Sequence, residues 1–356
     1  MKYLGMDVHS KATVWCLLDG DGEPVARGSV ETNARALGHL ACELSCEEEI
    51  LAGQEVGTMS YLVHDAFVAA RVRVLSFNAY RLRMIASSRK KTDRRDAYWI
   101  AKALASGMYP PPVYIPTGEV RELRALLSRR RMVHSDLNRW GYRARAYLRG
   151  SGQRVGPGAS RLKVSLERLS AAPQEGGEAL TEGLGLCHRQ AASLALELKR
   201  IDEEIQARAR QIEPIRNLMT MPGVGVLVGT TIYAAVGDIG RFPDAKSLGA
   251  YAGLVPSVRN TGGNNSFGSI TKEGSSALRT LLVQSAHTVM NACRSEGAKP
   301  LQAIGARVQT SRRRRKIAAV ALARHILPIA YYILRDRTTY DGKRLGGQKP
   351  EVSTAA

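Results

Sequence analysis

The chain has 356 residues, of which 44% are hydrophobic and 24% are charged, and its formal net charge at pH 7 is +20. This length suffices for two or more domains with cores of their own, and the apolar fraction is ordinary for a globular protein. The charge indicates a polyanionic partner, with nucleic acid favoured over a membrane surface; cationic tuning of solubility is the alternative.

Three further features argue against secretion and membrane insertion. Residues 1–10 lack a basic leader followed by an apolar core, so we expect no secretory signal. The longest apolar run, 317–334, contains Arg324, His325 and Pro328, which predicts a buried helix and not a membrane span. The five cysteines are odd in number and scattered, which indicates reduced thiols. We therefore expect a cytoplasmic protein with no membrane partner.

The first third of the chain predicts a mixed α/β sheet. Three short runs rich in Val, Leu, Tyr and Trp predict an antiparallel meander, with a turn at Asp19-Gly20-Asp21-Gly22. Strand and helix patterns alternate after it. The predicted strands are 2–9, 12–18, 24–30, 49–56 and 72–77, and the predicted helices are 34–44 and 60–70. This order predicts that the first, fourth and fifth strands run parallel.

Four acidic residues are expected to meet on this sheet. Asp7 lies in the first strand, where a buried carboxylate needs a partner, and Glu55 ends the fourth. Parallel strands would bring both to the carboxyl edge. Asp93 and Asp96 stand three apart at a helix start and share one face. The four carboxylates predict a site for two divalent ions, as in phosphoryl transfer. The alternative for the helix start is acidic residues at its positive end, surrounded by solvated charge.

Asp7, Glu55 and the run Thr92-Asp93-Arg94-Arg95-Asp96-Ala97 resemble the DEDD signature of one family of insertion-sequence transposases, the "IS one-ten" group. The resemblance covers most of the chain. It implies a ribonuclease-H-like (RuvC-like) domain in which Asp7, Glu55, Asp93 and Asp96 are catalytic and bind Mg²⁺. Members of this family recombine DNA with a structured bridge RNA as guide. The resemblance therefore also implies double-stranded DNA, a guide RNA and a homo-oligomer, either a dimer or a tetramer.

The middle of the chain predicts a helical connector. Prolines at 110–112 and 116 mark the edge of the first domain. The helical pattern at 119–148 is dense in arginine, with Trp140, Tyr142 and Tyr147 interleaved, which indicates contact with phosphates and unpaired bases. The alternative is a charged antiparallel hairpin whose aromatics pack on a partner helix. A helix at 186–212 would complete a coiled-coil-like pair, and the Gly-, Ser- and Pro-rich stretches 151–158 and 171–185 predict loops.

The last third predicts a helical domain that binds nucleic acid. Gly223 and Gly225 lie between two helical patterns and predict a helix-hairpin-helix whose amides approach phosphate; an ordinary turn is the alternative. Six basic residues are expected to contact nucleic acid, although the arginine run could also be merely solvated. These residues are Lys272, Arg279, Arg312, Arg313, Arg314 and Arg315.

A polar segment at 257–266, rich in Gly and Asn, predicts a loop that could hold a hydroxyl or amide against phosphate. A disordered surface connection is the alternative. The segment resembles the transposase domain of the same family, whose loop carries a nucleophilic serine. The resemblance implies that Thr261, at the matching position, is the catalytic nucleophile, with Ser266 as the alternative nucleophile.

The predicted fold is α/β plus all-α. We expect a RuvC-like domain at 1–112, a helical connector at 113–213, a mostly helical transposase domain at 214–340 and a flexible tail at 341–356. The predicted function is that of an insertion-sequence transposase, a DNA recombinase with an acidic Mg²⁺ site and a hydroxyl nucleophile. One alternative is a RuvC-like metal-dependent nuclease that hydrolyses DNA without a covalent step. Another is a non-catalytic nucleic-acid-binding protein.

Overall fold

The computed structural model describes residues 1–46, 48–85, 93–116, 118–150, 152, 178–261, 264–312 and 314–342. For residues 83–85, 93, 94, 258–261, 264–267 and 312 it describes the backbone alone. Arg313, most of the loops predicted at 151–158 and 171–177, and the tail beyond Gly342 lie outside the described residues. The chain forms two compact units, Met1–Pro116 and Thr117–Ala356. The division of the second unit into a connector and a transposase domain stays a prediction.

A five-stranded mixed sheet with strand order β3-β2-β1-β4-β5 forms the centre of the first unit. Its strands are β1 (Lys2–Val8), β2 (Ala12–Leu18), β3 (Pro24–Glu31), β4 (Ile50–Glu55) and β5 (Arg73–Phe77). β1 pairs antiparallel with β2 and parallel with β4, and β4 pairs parallel with β5. The predicted meander and the three parallel strands are confirmed. This sheet with its helices is consistent with a ribonuclease-H-like fold.

Helices cover both faces of the sheet. They are α1 (Ala34–Ser45), α2 (Ser60–Ala69), α3 (Ala79–Ile85) and α4 (Asp93–Ala105). On one face Leu4 and Met6 of β1 pack with Leu37 of α1 and Phe67 of α2, all fully buried. On the other face α4 packs Ala97 and Ala101 against β2. Because β1 is covered on both faces, its middle, Leu4-Gly5-Met6, is apolar, and its charged residues, Lys2 and Asp7, lie near its two ends.

Two long helices open the second unit, α5 (Gly118–Gly150) and α6 (Glu178–Gln211). They run antiparallel, since Leu148 of α5 packs near Leu184 of α6 while Leu123 packs near Ala209 at the other end. Surface ion pairs join them, including Arg129 to Glu204 at 2.7 Å. The predicted pairing of the two helices is confirmed, and their coiled-coil-like character stays a prediction.

The loop predicted at 171–185 is wrong for its last eight residues, because α6 begins at Glu178. Leu184 is fully buried and Cys187 nearly so, in a cluster with Ala144 and Leu148 of α5. Gly183 had suggested a loop, but a Cβ there would stand 3.0 Å from the ring of Tyr147, so glycine fits a close helix contact. Packing against α5 thus outweighs the low helix propensity of the glycines.

The rest of the second unit is mostly helical. Its elements are α7 (Glu213–Met219), α8 (Val226–Val236), α9 (Ala245–Tyr251), β6 (Pro256–Thr261), β7 (Asn264–Ile270), α10 (Ser276–Asn291), α11 (Lys299–Arg312) and α12 (Arg315–Asp336), with short 3-10 helices at Ile239–Arg241 and Glu296–Ala298. Within the described residues, α12 is the one helix long and apolar enough to cross a membrane. Ten of its 22 residues are buried in the core, so the predicted buried helix is confirmed.

The loop predicted at 257–266 is wrong, because most of this segment forms an antiparallel hairpin of β6 and β7. The register pairs Thr261 with Asn264 and Arg259 with Ser266. Gly-Gly is a favoured dipeptide in two-residue hairpin connections, and it stands between these two strands in the sequence. The residue carrying the predicted nucleophile therefore ends a strand at the tip of a hairpin.

Candidate active site

Asp7 and Glu55 lie at the carboxyl ends of two neighbouring parallel strands. The register pairs Met6 of β1 with Gln54 of β4, so the next residue on each strand is the acidic one. Paired strands lie about 4.8 Å apart. Both acidic side chains are partly buried. The sheet thus places Asp7 and Glu55 on neighbouring strands at its carboxyl edge, where the sequence predicts them.

α4 packs on the sheet face that carries both acidic residues. Side chains alternate along a strand, so Gly5 shares a face with Asp7, and Gly53 shares a face with Glu55. A Cβ on Gly5 would lie 2.0 Å from the carbonyl oxygen of Ala97, and one on Gly53 would lie 2.9 Å from Ile100 Cγ2. The two glycines therefore let α4 approach the strands that end in the acidic residues.

The direction of α4 brings its first turn toward the acidic edge. Near its carboxyl end, Lys102 donates from Nζ to the carbonyl oxygen of Gly22 at 3.0 Å, in the turn that follows β2. β2 ends at Leu18, which is paired with Tyr3 near the start of β1. α4 therefore runs antiparallel to β1. Its first turn, which holds the remaining two acidic residues of the predicted quartet, lies toward the end of β1 that carries Asp7.

The donors fit a hard divalent ion in kind, since carboxylate oxygens are the ligands that Mg²⁺ prefers. Within the described part of the chain, no group of three His, Cys, Asp or Glu side chains is arranged to hold a metal ion. The side chain of Asp93 is not among those described. Asp7, Glu55 and Asp96 thus do not make a complete site by themselves, and Asp93 is the ligand that the resemblance adds.

His9 is a neighbour of this site that the sequence analysis did not select. Its Nε2 lies 3.2 Å from Oδ2 of Asp7. The imidazole is half exposed, whereas the carboxylate is 17% exposed. A spacing of two residues along an extended chain puts both side chains on one face, and this spacing was the available signal.

A buried polar network holds the end of β4. Gln54 is fully buried, and its Nε2 donates to the carbonyl oxygen of Ser60 and to Oγ of Ser76, both at 3.1 Å. Ser60 Oγ accepts from the amide of Gly57 at 2.6 Å and donates to the carbonyl of Glu55 at 3.4 Å. These bonds fix the backbone on both sides of Glu55. No periodic pattern in the sequence predicts these hydrogen bonds, because the partners lie on three different elements.

The hairpin that carries Thr261 has a tightly packed base. Gly253 and Gly274 have φ values of +65° and +75°. A Cβ on either would stand 2.1 Å from a backbone oxygen of the other segment, that of Glu273 or Tyr251. Only glycine fits both the backbone conformation and the space. The segments before β6 and after β7 are therefore held together by close packing, in addition to the hydrogen bonds between the two strands.

Arg279 also holds this base. Its Nη1 donates to three backbone carbonyls, those of Ala252 at 3.2 Å, Glu273 at 2.8 Å and Gly274 at 3.2 Å. A guanidinium used in this way has a structural role in the hairpin. Lys272, by contrast, is exposed and adopts a left-handed conformation with φ of +57°.

The glycines between α7 and α8 differ in their surroundings. Gly223 has φ of +78°, and a Cβ there would stand 2.5 Å from Val289 Cγ2 in α10, so this glycine is packed against protein. Gly225 is exposed at the start of α8 and has no atom within 4 Å of a Cβ position. Of the two, Gly225 is the one where a ligand could approach the backbone.

The basic run spans the junction of α11 and α12. Arg312 is the last residue of α11, and Arg315 is the first of α12. Arg314 and Arg315 are exposed, and the guanidinium of Arg315 contacts Oδ1 of Asn291. Arg313 lies outside the described residues. Arg312 and Arg315 thus belong to two successive helices, and Arg314 is the N-cap of the second.

The aromatic residues of α5 divide between the two predicted roles. Trp140 packs beside the buried Leu148 cluster, with the guanidinium of Arg143 4.4 Å from its ring centroid. Tyr142 and Tyr147 are 66% and 46% exposed. Packing on the partner helix therefore accounts for the tryptophan, while the two tyrosines keep surface available for a ligand.

Comparisons with known proteins identify the class. A family model for DEDD transposases of the IS110 type, described as a transposase, matches residues 4–152, and one described as the transposase IS116/IS110/IS902 family matches residues 215–302. The transposase for insertion sequence element IS1111A of Coxiella burnetii is 29% identical over 251 residues, which cover 70% of this chain and 68% of that protein.

Two other relatives match over shorter stretches. The transposase for insertion sequence element IS1328 of Yersinia enterocolitica is 27% identical over 49% of this chain and 52% of its own length. The pilin gene-inverting protein of Moraxella bovis is 31% identical over 35% of this chain and 38% of its own. The sheet, the acidic strand ends and these matches define a transposase, an enzyme that cuts and rejoins DNA. The chain belongs to the IS110 family of transposases, in which dependence on a divalent metal is general.

Proposed function

We propose that Asp7, Glu55, Asp93 and Asp96 hold the divalent ions of this transposase, with Mg²⁺ as the metal. The observation that supports the proposal is that Asp7 and Glu55 follow paired residues at the ends of adjoining strands, on the sheet face that α4 covers. Bound there, the ions would stabilise the charge on the attacking and leaving oxygens of phosphoryl transfer. The chain's own part is to fix two carboxylates on the sheet and two on α4.

Thr261 is the proposed nucleophile. Its Oγ1 loses its proton and forms a bond to the scissile phosphorus, while the bond from phosphorus to a sugar oxygen breaks and that oxygen takes up a proton, so the cut strand stays attached to the protein. Threonine keeps the hydroxyl of the family's serine but carries a methyl on the same carbon, which restricts χ1. Its place at the end of a hairpin with a rigid base supports this role. Ser266, paired with Arg259 across the hairpin, is the alternative.

The nucleic-acid contacts belong to this proposal as well. Backbone phosphates of double-stranded DNA would contact Gly225, Lys272 and the arginines at 312–315, which are exposed where the structure describes their side chains. Gly223 shapes the helix-hairpin-helix turn from inside. Arg279 is left out of this interface, because its Nη1 holds the hairpin base.

A guide RNA and assembly into a dimer or tetramer in the cytoplasm complete the proposal. The chain shows no element predicted to read base edges directly, so recognition by base pairing fits its sequence. The net charge of +20 suits a large polyanionic complex.

Purification of the full chain followed by sequencing of bound nucleic acid tests the guide. We expect one RNA transcribed beside the gene, and we expect its retention to weaken steeply with salt. Strand transfer is then measured with and without ribonuclease, and with Mg²⁺ or a chelator. Recovery of random cellular RNA together with ribonuclease-resistant strand transfer would contradict the proposed guide RNA. Strand transfer in the presence of chelator would contradict the proposed role of the metal ions.

A further inference from the structure

An open groove of about 790 Å³ lies in the first unit on the face of the sheet covered by α4. β2 and β3 form its floor, and α4 forms one wall. Its main lining residues are Val14, Cys16, Arg27, Ser29, Arg95 and Tyr98. None of them was selected from the sequence as a functional residue.

The groove leads away from the acidic edge. Val14 is paired with Asp7 in β1 on one side and with Ser29 in β3 on the other, so these three residues form one row across the sheet. In the wall, Arg95 directly precedes Asp96 in the first turn of α4. A chain that lies over Asp7 can therefore continue over Val14 and Ser29 without leaving this face.

Two guanidinium groups line the groove. Arg27 and Arg95 are exposed, and within the described part of the chain neither makes a hydrogen bond or ion pair. Burial raises the pKa of the Cys16 thiol, and the positive charge of Arg27 acts in the opposite direction. Arg27 thus lies close to the groove floor. Glu23 also lines the groove, so the two arginines there are partly offset by one negative charge.

Tyr98 gives the groove a flat apolar surface. Tyr98 packs against the buried cluster that contains Cys16 and Leu18, lines the groove and is only partly buried, so part of the residue is open to the groove. An aromatic ring beside unpaired cations is the combination that binds nucleic-acid strands, because bases or sugars stack on the ring while phosphates meet the cations.

We propose that this groove binds the backbone of the DNA strand whose phosphate lies at the acidic edge, with Arg27 and Arg95 on its phosphates and Tyr98 against a base or sugar. This inference rests on the proposed function. Two strand spacings separate Asp7 from β3, about 10 Å. At about 3.4 Å per nucleotide, the contacts fall roughly three nucleotides from the reacting bond. The cations also offset the repulsion between the acidic residues and DNA.

The test measures binding of the full chain to a labelled DNA duplex and to an RNA of the same sequence, in chelator, over a range of salt concentrations. We compare wild type, Arg27→Gln, the double variant Arg27→Gln/Arg95→Gln and Arg73→Gln. Arg73 is an exposed arginine at the start of β5, on the opposite edge of the sheet, and is the matched control. Circular dichroism checks that each variant is folded.

For DNA, we expect the slope of log affinity against log salt to fall in magnitude by about 0.9 for each arginine removed, with no change for the control. Tyr98→Leu should weaken DNA binding roughly tenfold without changing the slope, as expected for the loss of one stacking contact. Unchanged slopes in both groove variants would overturn the proposal. A change confined to RNA would overturn the assignment to DNA.

Binding in chelator does not depend on chemistry, so the two proposals fail separately. If Asp7→Asn keeps full strand transfer while the arginine variants show a smaller salt-dependence slope, the proposed metal site is wrong and the proposed DNA groove is supported. If Asp7→Asn is inactive while the arginine variants bind like wild type, the groove fails and the metal site stands.

Discussion

Gly5 of β1 faces the carbonyl of Ala97 in α4 so closely that a single methyl group on it would stand 2.0 Å from that oxygen. Asp7 lies two residues after Gly5, and Asp96 immediately precedes Ala97. The contact that packs the helix on the sheet therefore lies next to both acidic residues in sequence. If these residues form the proposed metal site, the same backbone approach supports both the stability of the first unit and its chemistry.

Gly5→Ala should both destabilise the first unit and abolish DNA strand transfer. A Cβ would displace the α4 backbone, and overpacking of this kind costs about 1–3 kcal/mol, more where backbone must move. Thermal unfolding measures the first effect, and a strand-transfer assay at a temperature where the variant is folded measures the second.

Gly38→Ala is the matched control for that substitution. Gly38 lies within α1, and no atom stands within 4 Å of its Cβ position. Alanine is favoured over glycine inside a helix by about 1 kcal/mol, so this variant should be slightly more stable and fully active. Wild-type stability and activity in Gly5→Ala would show that α4 is not held to the sheet at this point.

Asp7→Asn and Asp96→Asn should each abolish metal-dependent strand transfer and leave the fold intact. Each removes a charged metal ligand but keeps the size of the side chain. The loss should exceed the roughly 10–100-fold that removal of an outer-shell partner causes. Calorimetric titration with Mg²⁺ and a strand-transfer assay provide the two measurements. Glu43→Gln, at an exposed position of α1, is the control of equal charge change and should behave as wild type. Activity in either aspartate variant would contradict the assignment.

The sheet and its acidic edge could be predicted because the signals lie within short stretches. Alternating and apolar runs predict the strands, and parallel pairing then brings Asp7 beside Glu55. The close approach at Gly5 and Gly53 could not be predicted, since it depends on α4, about ninety and fifty residues away in sequence. The groove could not be predicted for the same reason, because Arg27 and Arg95 lie near each other only once β3 and α4 have packed together.

The two errors have a common physical origin in glycine. At 178–185 and at 257–266 glycine predicts a loop, yet Gly183 lies at a close helix contact and the other segment forms a hairpin. Glycine permits tight packing in one place and suits a hairpin connection in the other, and in sequence both look the same as glycine in a long loop.

Arg279→Met should loosen the hairpin that carries Thr261. The guanidinium donates to three carbonyls, and loss of a charged hydrogen bond costs about 1.5–3 kcal/mol. We expect a lower melting temperature and a larger loss of strand transfer than of DNA binding. Arg279→Lys should recover part of the stability, since an ammonium group can donate to some of these carbonyls.

Arg294→Gln is the control for Arg279, because it removes the same charge from an exposed position after α10. It should leave stability and strand transfer unchanged. If instead Arg279→Met lowers DNA affinity as much as it lowers strand transfer, with no change in melting temperature, Arg279 contacts DNA as the sequence analysis proposed.

The last prediction concerns the nucleophile. Thr261→Ala should abolish the covalent protein–DNA adduct, because it removes the attacking oxygen, and Thr261→Ser should preserve or increase it, because serine keeps the hydroxyl without the methyl that limits χ1. Ser266→Ala, across the same hairpin, is the matched control and should leave the adduct unchanged. Adducts are measured by denaturing electrophoresis of the full chain with labelled DNA and mapped by mass spectrometry.

The remaining outcomes of this experiment separate the rival mechanisms. An adduct that survives Thr261→Ala but disappears in Ser266→Ala would identify Ser266, on the other strand of the hairpin, as the nucleophile. DNA cut by wild type with no adduct in any variant would favour a metal-dependent nuclease, because hydrolysis leaves no strand attached to the protein. Since Asp7→Asn removes the proposed metal site without touching the hairpin, loss of both cutting and adduct in that variant would show that attack by the hydroxyl requires the acidic edge.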